Sequence, residues 1–137
     1  MESLTRLKQA KQWVLSGDFL YNSRLAILLW FGLPIFSIIR TLIVDNRINN
    51  FLIFRGVFYH AVSNLNLYNA YPQEYGDVNL YGPIFSVVIA PFALLPVKLG
   101  FILWSLFNAW ILYFAIRKLP IQKKWQMQYL FLAATKC

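Results

Sequence analysis

Few side chains in this sequence could do chemistry, and most of them lie between residues 45 and 98. Of five carboxylates in the 137 residues, three are there: Asp45, Glu74 and Asp77. A carboxylate can take a proton from a reacting hydroxyl. The region holds three cations, Arg47, Arg55 and Lys98, and the single histidine, His60. Arg55 and His60 fall on one arc of a helical pattern, where they could contact a phosphate or simply a lipid headgroup and water. His60 has no second histidine at metal-ligand spacing. The one cysteine, Cys137, permits no internal disulfide.

Elements that could position these groups follow from hydropathy. The chain is 59% hydrophobic and 13% charged, against roughly 45–50% and about 25% in soluble domains. That balance favours a membrane protein. The net charge of +8 does not indicate nucleic acid, because the basic residues cluster beside apolar runs, where lipid or topology explains them. Residues 25–44 and 99–116 predict transmembrane helices, since about 20 apolar residues at 1.5 Å each cover the roughly 30 Å hydrocarbon core. Pro34 can kink the first, and Arg40 near its end snorkels to the interface. Residues 1–24 read as a basic tail, either a helix on an anionic leaflet or a solvated segment that sets topology.

Within 45–98, residues 50–65 have helical spacing. Phe51, Phe54, Phe58, Ala61, Val62 and Leu65 share an apolar arc, and Asn50, Arg55, Tyr59, His60, Ser63 and Asn64 fall outside it. This predicts an amphipathic helix in the membrane interface. Residues 66–83, rich in Asn, Tyr, Gly and Pro, read as an ordered loop. Residues 83–96 carry Pro83, Pro91 and Pro96, which predicts a short interfacial or re-entrant helix. Basic loops stay cytoplasmic. If only 25–44 and 99–116 cross, both the basic tail and the basic loop 117–125 lie inside and the acidic block lies outside. A third crossing at 79–96 would put 117–125 on the wrong side. The fold class expected is all-α: polytopic transmembrane helices with an extracytoplasmic loop carrying interfacial and short Pro-broken helices. Residues 126–137 read as the start of a further span, so a longer parent chain is expected.

The order of NFLIFRGVFYHA (50–61), NLY (66–68), YGPIFSVVIAPFALLP (81–96) and WSLFN (104–108) resembles the GT-C superfamily of membrane glycosyltransferases, and within it the glycosyltransferase 87 (DUF2029) family. The resemblance implies inverting transfer of a hexose, often mannose, from a polyprenyl-phosphate donor to a lipid or glycan acceptor on the extracytoplasmic face of a bacterial plasma membrane. It implies membrane lipids as surroundings and neither a cofactor nor a metal. It also implies a carboxylate base in the first outer loop. Here the family's Asp slot, counted back from Tyr68, holds Asn50, and an amide cannot act as that base. Asp45, directly after the first span, is therefore the first candidate, with Asp77 second and Glu74 third. Asn50, Arg55, His60 and Tyr81 are the candidate substrate-binding residues; Tyr81 and its neighbouring tyrosines could stack on sugar or anchor the interface. A transporter with a broken helix and a non-catalytic membrane subunit are the rival readings.

Overall fold

A computed structural model describes residues 22–45 and 48–134. The tail reading for residues 1–24 therefore lies, apart from its last three residues, outside the described residues, as do residues 135–137. Asp45 is described in its backbone alone. The described residues are all helical or irregular, with no strand. Five α-helices follow in order: α1 (Ser23–Arg40), α2 (Asn49–Val62), α3 (Ile84–Ala93), α4 (Val97–Lys118) and α5 (Lys123–Ala134).

Asn22 starts α1, its Oδ1 accepting the backbone N–H groups of Arg24 at 3.0 Å and Leu25 at 3.2 Å and so satisfying donors that have no partner within the helix. The helix widens into a π-type turn over Thr41–Asp45. Together they form an apolar run, Ser23–Val44, matched by α4. At 1.5 Å per residue each 22-residue run reaches about 33 Å, enough to cross a bilayer. Only 11% of either apolar window is buried within the protein. The core helix of a soluble protein hides its apolar face from water, whereas Leu28, Phe36, Ile39, Ile43 and Val44 stand open. Surfaces of this kind need lipid or further helices around them.

The chain divides into two compact units. In the first, built from residues up to Phe36 and from Asn108 onward, Ala26 and Trp30 of α1 pack with Ile116 of α4 and Met127 and Leu130 of α5. The indole N–H of Trp30 donates to the carbonyl of Ala109 at 2.9 Å, which gives the polar edge of a buried ring a partner. Gln126 of α5 turns its amide onto the end of α4, donating to Leu119 O at 3.0 Å and Arg117 O at 3.3 Å. The Arg117 carbonyl lacks a donor within its own helix, and that of Leu119, just past the helix, also accepts the N–H of Ile121 at 2.8 Å.

The second unit, Ser37–Phe107, carries every candidate site residue. Its core is α2 against α3, with the first turns of α4 closing one side. Gly100 makes this approach possible: a Cβ there would collide with the carbonyl oxygen of Phe92 and lie 2.7 Å from Phe51 Cζ. Aromatic rings fill the rest. Phe54 meets Tyr81, Phe85 and Trp104 edge-on at centroid distances of 5.0, 5.2 and 6.0 Å, the geometry that ring quadrupoles favour. With 10 residues, α3 is about 15 Å long, half the hydrocarbon core. Residues 79–96 therefore hold no helix of crossing length.

The face that α2 buries differs from the sequence expectation. Of the expected apolar arc Phe51 is buried, whereas the rest of the buried set, Ile53, Gly56, Val57 and His60, lies roughly opposite Phe54, Phe58, Ala61 and Val62. Val62 and Leu65 of that arc are exposed, and His60, assigned to the solvated or headgroup-facing side, is 2% exposed. The cause is the loop. Asn64 takes a left-handed backbone, φ 55°, which asparagine tolerates better than most residues, and the chain after it runs back over the His60 side of α2.

Candidate functional site

The site grows from the way this loop is tied down. The backbone N–H of Gly76 donates to Asn49 Oδ1 at 2.8 Å, fixing the loop's far end to the first turn of α2. Asn79, 1% exposed, donates its amide to Leu67 O at 3.1 Å and Tyr81 O at 3.0 Å. Its Oδ1 accepts from the N–H of Tyr81 at 2.8 Å. One side chain thus satisfies three backbone groups and pins the loop's two ends together. The phenol of Tyr71 donates to Asn66 O at 2.7 Å.

Held this way, the loop delivers three side chains to His60. The Tyr71 ring lies against the imidazole, centroids 3.8 Å apart. His60 Nε2 is 3.1 Å from Glu74 Oε2 and 3.3 Å from Oε1. On the other side, His60 Nδ1 is 3.5 Å from the Tyr75 hydroxyl. Tyr75 is buried, its ring edge so close to α2 that a Cβ on Gly56 would sit 2.6 Å from Cε1. Burial first, then the charge of Glu74 and the neighbouring Tyr71, push the Tyr75 phenol above its usual range. It therefore stays a hydroxyl, able to donate, across the physiological range.

Glu74 is anchored on one side and open on the other: its side chain is 51% exposed. It lines a cavity of about 190 Å³ together with Leu52, Arg55, Gly56 and Tyr59. That is below the roughly 300–1,000 Å³ of pockets that enclose a drug-sized ligand and suits one polar group or one ring of a larger molecule. Arg55 and Tyr59, one turn apart on α2, form the opposite wall. Arg55 Nε donates to Ala93 O at 3.0 Å and Tyr59 Oη to the same carbonyl at 3.1 Å. The guanidinium also lies 5.3 Å from the Tyr59 ring centroid. A cation at the C-terminal end of α3 complements the helix dipole, which holds the guanidinium in place.

The candidates from sequence are therefore not gathered in one place. Glu74 and Arg55 line one cavity, and His60 touches Glu74 from behind it. Asp77 is exposed and accepts the N–H of Val78 at 2.7 Å. Asn50 is exposed on the first turn of α2. Tyr81 stacks on Phe85, centroids 4.7 Å apart, inside the aromatic cluster. Asp45 ends the π-type turn, with only its backbone described. Sequence reasoning gave no role to Gly56 or Asn79. A glycine in the middle of a helical pattern was the available signal for Gly56, since such a glycine costs helix stability unless something packs against it.

Comparison with known proteins gives one match. Residues 79–136, which include α3, α4 and the described part of α5, match the sequence model of glycosyltransferase family 87. Neither curated proteins nor solved structures yield a match. Glu74, Arg55 and His60 precede the matched segment and are joined to it through the contacts of Arg55 and Tyr59 with Ala93. Two helices of membrane-crossing length and an all-helical fold among the described residues accord with that match, and over residues 79–136 the chain is similar to glycosyltransferase family 87.

Proposed function

We propose that this chain forms the acceptor-activating part of an integral, multi-pass membrane glycosyltransferase. It moves a mannose-like hexose from a polyprenyl-phosphate donor to a lipid or glycan acceptor on the extracytoplasmic face of a bacterial plasma membrane, with Glu74 as base. The observation carrying this reading is a single cavity lined by both a carboxylate and a guanidinium, Glu74 and Arg55. Sugar transfer needs that pairing. The acceptor oxygen attacks the anomeric carbon while its proton passes to the carboxylate. The bond from that carbon to the donor phosphate breaks, and the phosphate leaves with the bonding electrons. A base makes the hydroxyl nucleophilic, and a fixed cation steadies the charge that gathers on the phosphate.

Asp45, the first candidate from sequence, is the alternative base, and Asp77 is disfavoured by its exposed position outside the cavity lining. The test is to replace Glu74→Gln, Asp45→Asn and Asp77→Asn singly in the full-length protein. Membranes bearing each variant are given polyprenyl-phosphate [14C]mannose, and label in endogenous acceptors is counted. Glu74→Gln should lose about 100-fold or more of the rate, and the other two should stay within a few-fold of wild type. Full transfer by Glu74→Gln removes the base assignment. A wild-type protein that transfers neither mannose nor glucose from such donors removes the enzyme reading itself.

A further inference from the structure

We infer that His60 is a positioning residue: through its Nε2–H it holds the Glu74 carboxylate at the cavity wall, in a ring tautomer set by that carboxylate and capped at Nδ1 by Tyr75. The inference rests on the assignment of Glu74 as base and deepens it. His60 cannot meet a substrate directly, because at 2% exposure it lies behind Glu74 and beneath Tyr71. Its two nitrogens nevertheless face two different groups. A carboxylate only accepts hydrogen bonds, so the nitrogen 3.1 Å from Glu74 must carry the hydrogen. A neutral imidazole then has one lone pair left, on Nδ1, and the hydroxyl 3.5 Å away belongs to Tyr75. The raised pKa of that phenol keeps its hydrogen available for donation.

The chain Tyr75 O–H to His60 Nδ1, then Nε2–H to Glu74, gives each polar atom one role. No other arrangement of a neutral ring satisfies both neighbours. Its purpose follows from the exposure of Glu74. A half-exposed glutamate on a loop has three rotatable bonds, and a general base must sit within hydrogen-bond reach of the proton it takes. A buried ring, clamped by Tyr71 and Tyr75 and seated on α2, is a rigid donor that removes this freedom. Gly56 belongs to the same device, since it makes room for the Tyr75 ring.

His60 is the only histidine in this sequence, so its resonances are the ones lost in His60→Gln. Full-length protein labelled with [15N]histidine in lipid nanodiscs should show a protonated Nε2 and an unprotonated, hydrogen-bonded Nδ1. Any further histidine elsewhere in a longer parent chain is identified by its persistence in His60→Gln. Tyr75→Phe should shift the Nδ1 resonance towards that of a free lone pair and leave Nε2 protonated. Protonation at Nδ1 alone, at both nitrogens, or rapid exchange between tautomers overturns the inference whatever the protein transfers. In the transfer assay, His60→Leu should lower kcat about 10–100-fold, the range seen when outer-shell partners of metal ligands are removed, with KM little changed. His60→Gln, which keeps a donor, should recover part of that loss. A loss in His60→Leu that His60→Gln does not relieve, at equal folded yield, also overturns the inference. Inactivity of Glu74→Gln beside full activity of His60→Leu would leave the base in place and remove its positioner.

Discussion

Among the described residues Tyr75 is the one whose ionisation the fold clearly disturbs, and the direction of that disturbance has a consequence for stability. Its folded pKa is raised above the usual 10.0, so the folded protein keeps the phenolic proton where the unfolded chain has lost it. The resulting stability is fully present below about pH 10 and falls as pH rises through the folded value. Wild-type protein in detergent should therefore lose thermal midpoint at alkaline pH, and Tyr75→Phe should lose less. Ultraviolet titration should show a late-ionising tyrosine in wild type that is lost in Tyr75→Phe. At the opposite wall, Arg55 is held by the N–H of its Nε, a group that lysine lacks. Arg55→Lys keeps the charge yet should lower stability by about 1 kcal/mol, the net worth of one such hydrogen bond, seen as a lower thermal midpoint.

Two glycines set how closely the elements approach. At Gly56 a methyl group would meet the buried Tyr75 ring. Alanine gains roughly 0.5–1 kcal/mol of helix propensity over glycine, but overpacking of this kind costs about 1–3 kcal/mol. Gly56→Ala should therefore be net destabilising and should displace Tyr75 from His60, which the histidine 15N spectrum would register. At Gly100 the obstacle is backbone, the Phe92 carbonyl, which cannot swing aside, so Gly100→Ala should destabilise more than Gly56→Ala when both are melted side by side. Asn79→Ala should cost about 1–3 kcal/mol, because it leaves the buried carbonyl of Leu67 and part-buried backbone groups of Tyr81 unpaired. The elements themselves were legible before the structure. Apolar runs of crossing length announce α1 and α4, and Pro83 and Pro96 bracket α3, which accommodates Pro91 in its last turn. The buried side of α2 was not legible. Period 3.6 shows which residues are apolar, whereas the cover on α2 comes from a loop with no period at all. The pairing of His60 with Glu74 bridges a helix and that loop, so no local spacing could reveal it.

At the scale of the molecule, the decisive quantity is the number of times the chain crosses the bilayer between α1 and α4. A helix of 10 residues, α3, reaches about 15 Å and would leave half the hydrocarbon core to be crossed by bare backbone, at several kcal/mol for each unpaired group. An even return is therefore favoured, with residues 45–96 leaving and rejoining the membrane on one side. The charges agree. Arg117 and Lys118 close α4, Lys123 and Lys124 open α5, and Arg6, Lys8, Lys11 and Arg24 precede or open α1, so the expectation of two crossings, which would put both basic groups on one side, follows the usual charge bias. Cysteine scanning tests this directly. With Cys137 replaced by serine, cysteines introduced at Gln73 and Gln122 should differ in reach for an impermeant maleimide added to intact cells. Gln73→Cys should label at once and Gln122→Cys only after the membrane is opened. Labelling of both from outside would mean that residues 79–96 cross after all. Labelling of Gln122→Cys alone would turn the Glu74 cavity towards the cytosol, away from a donor presented on the outer face.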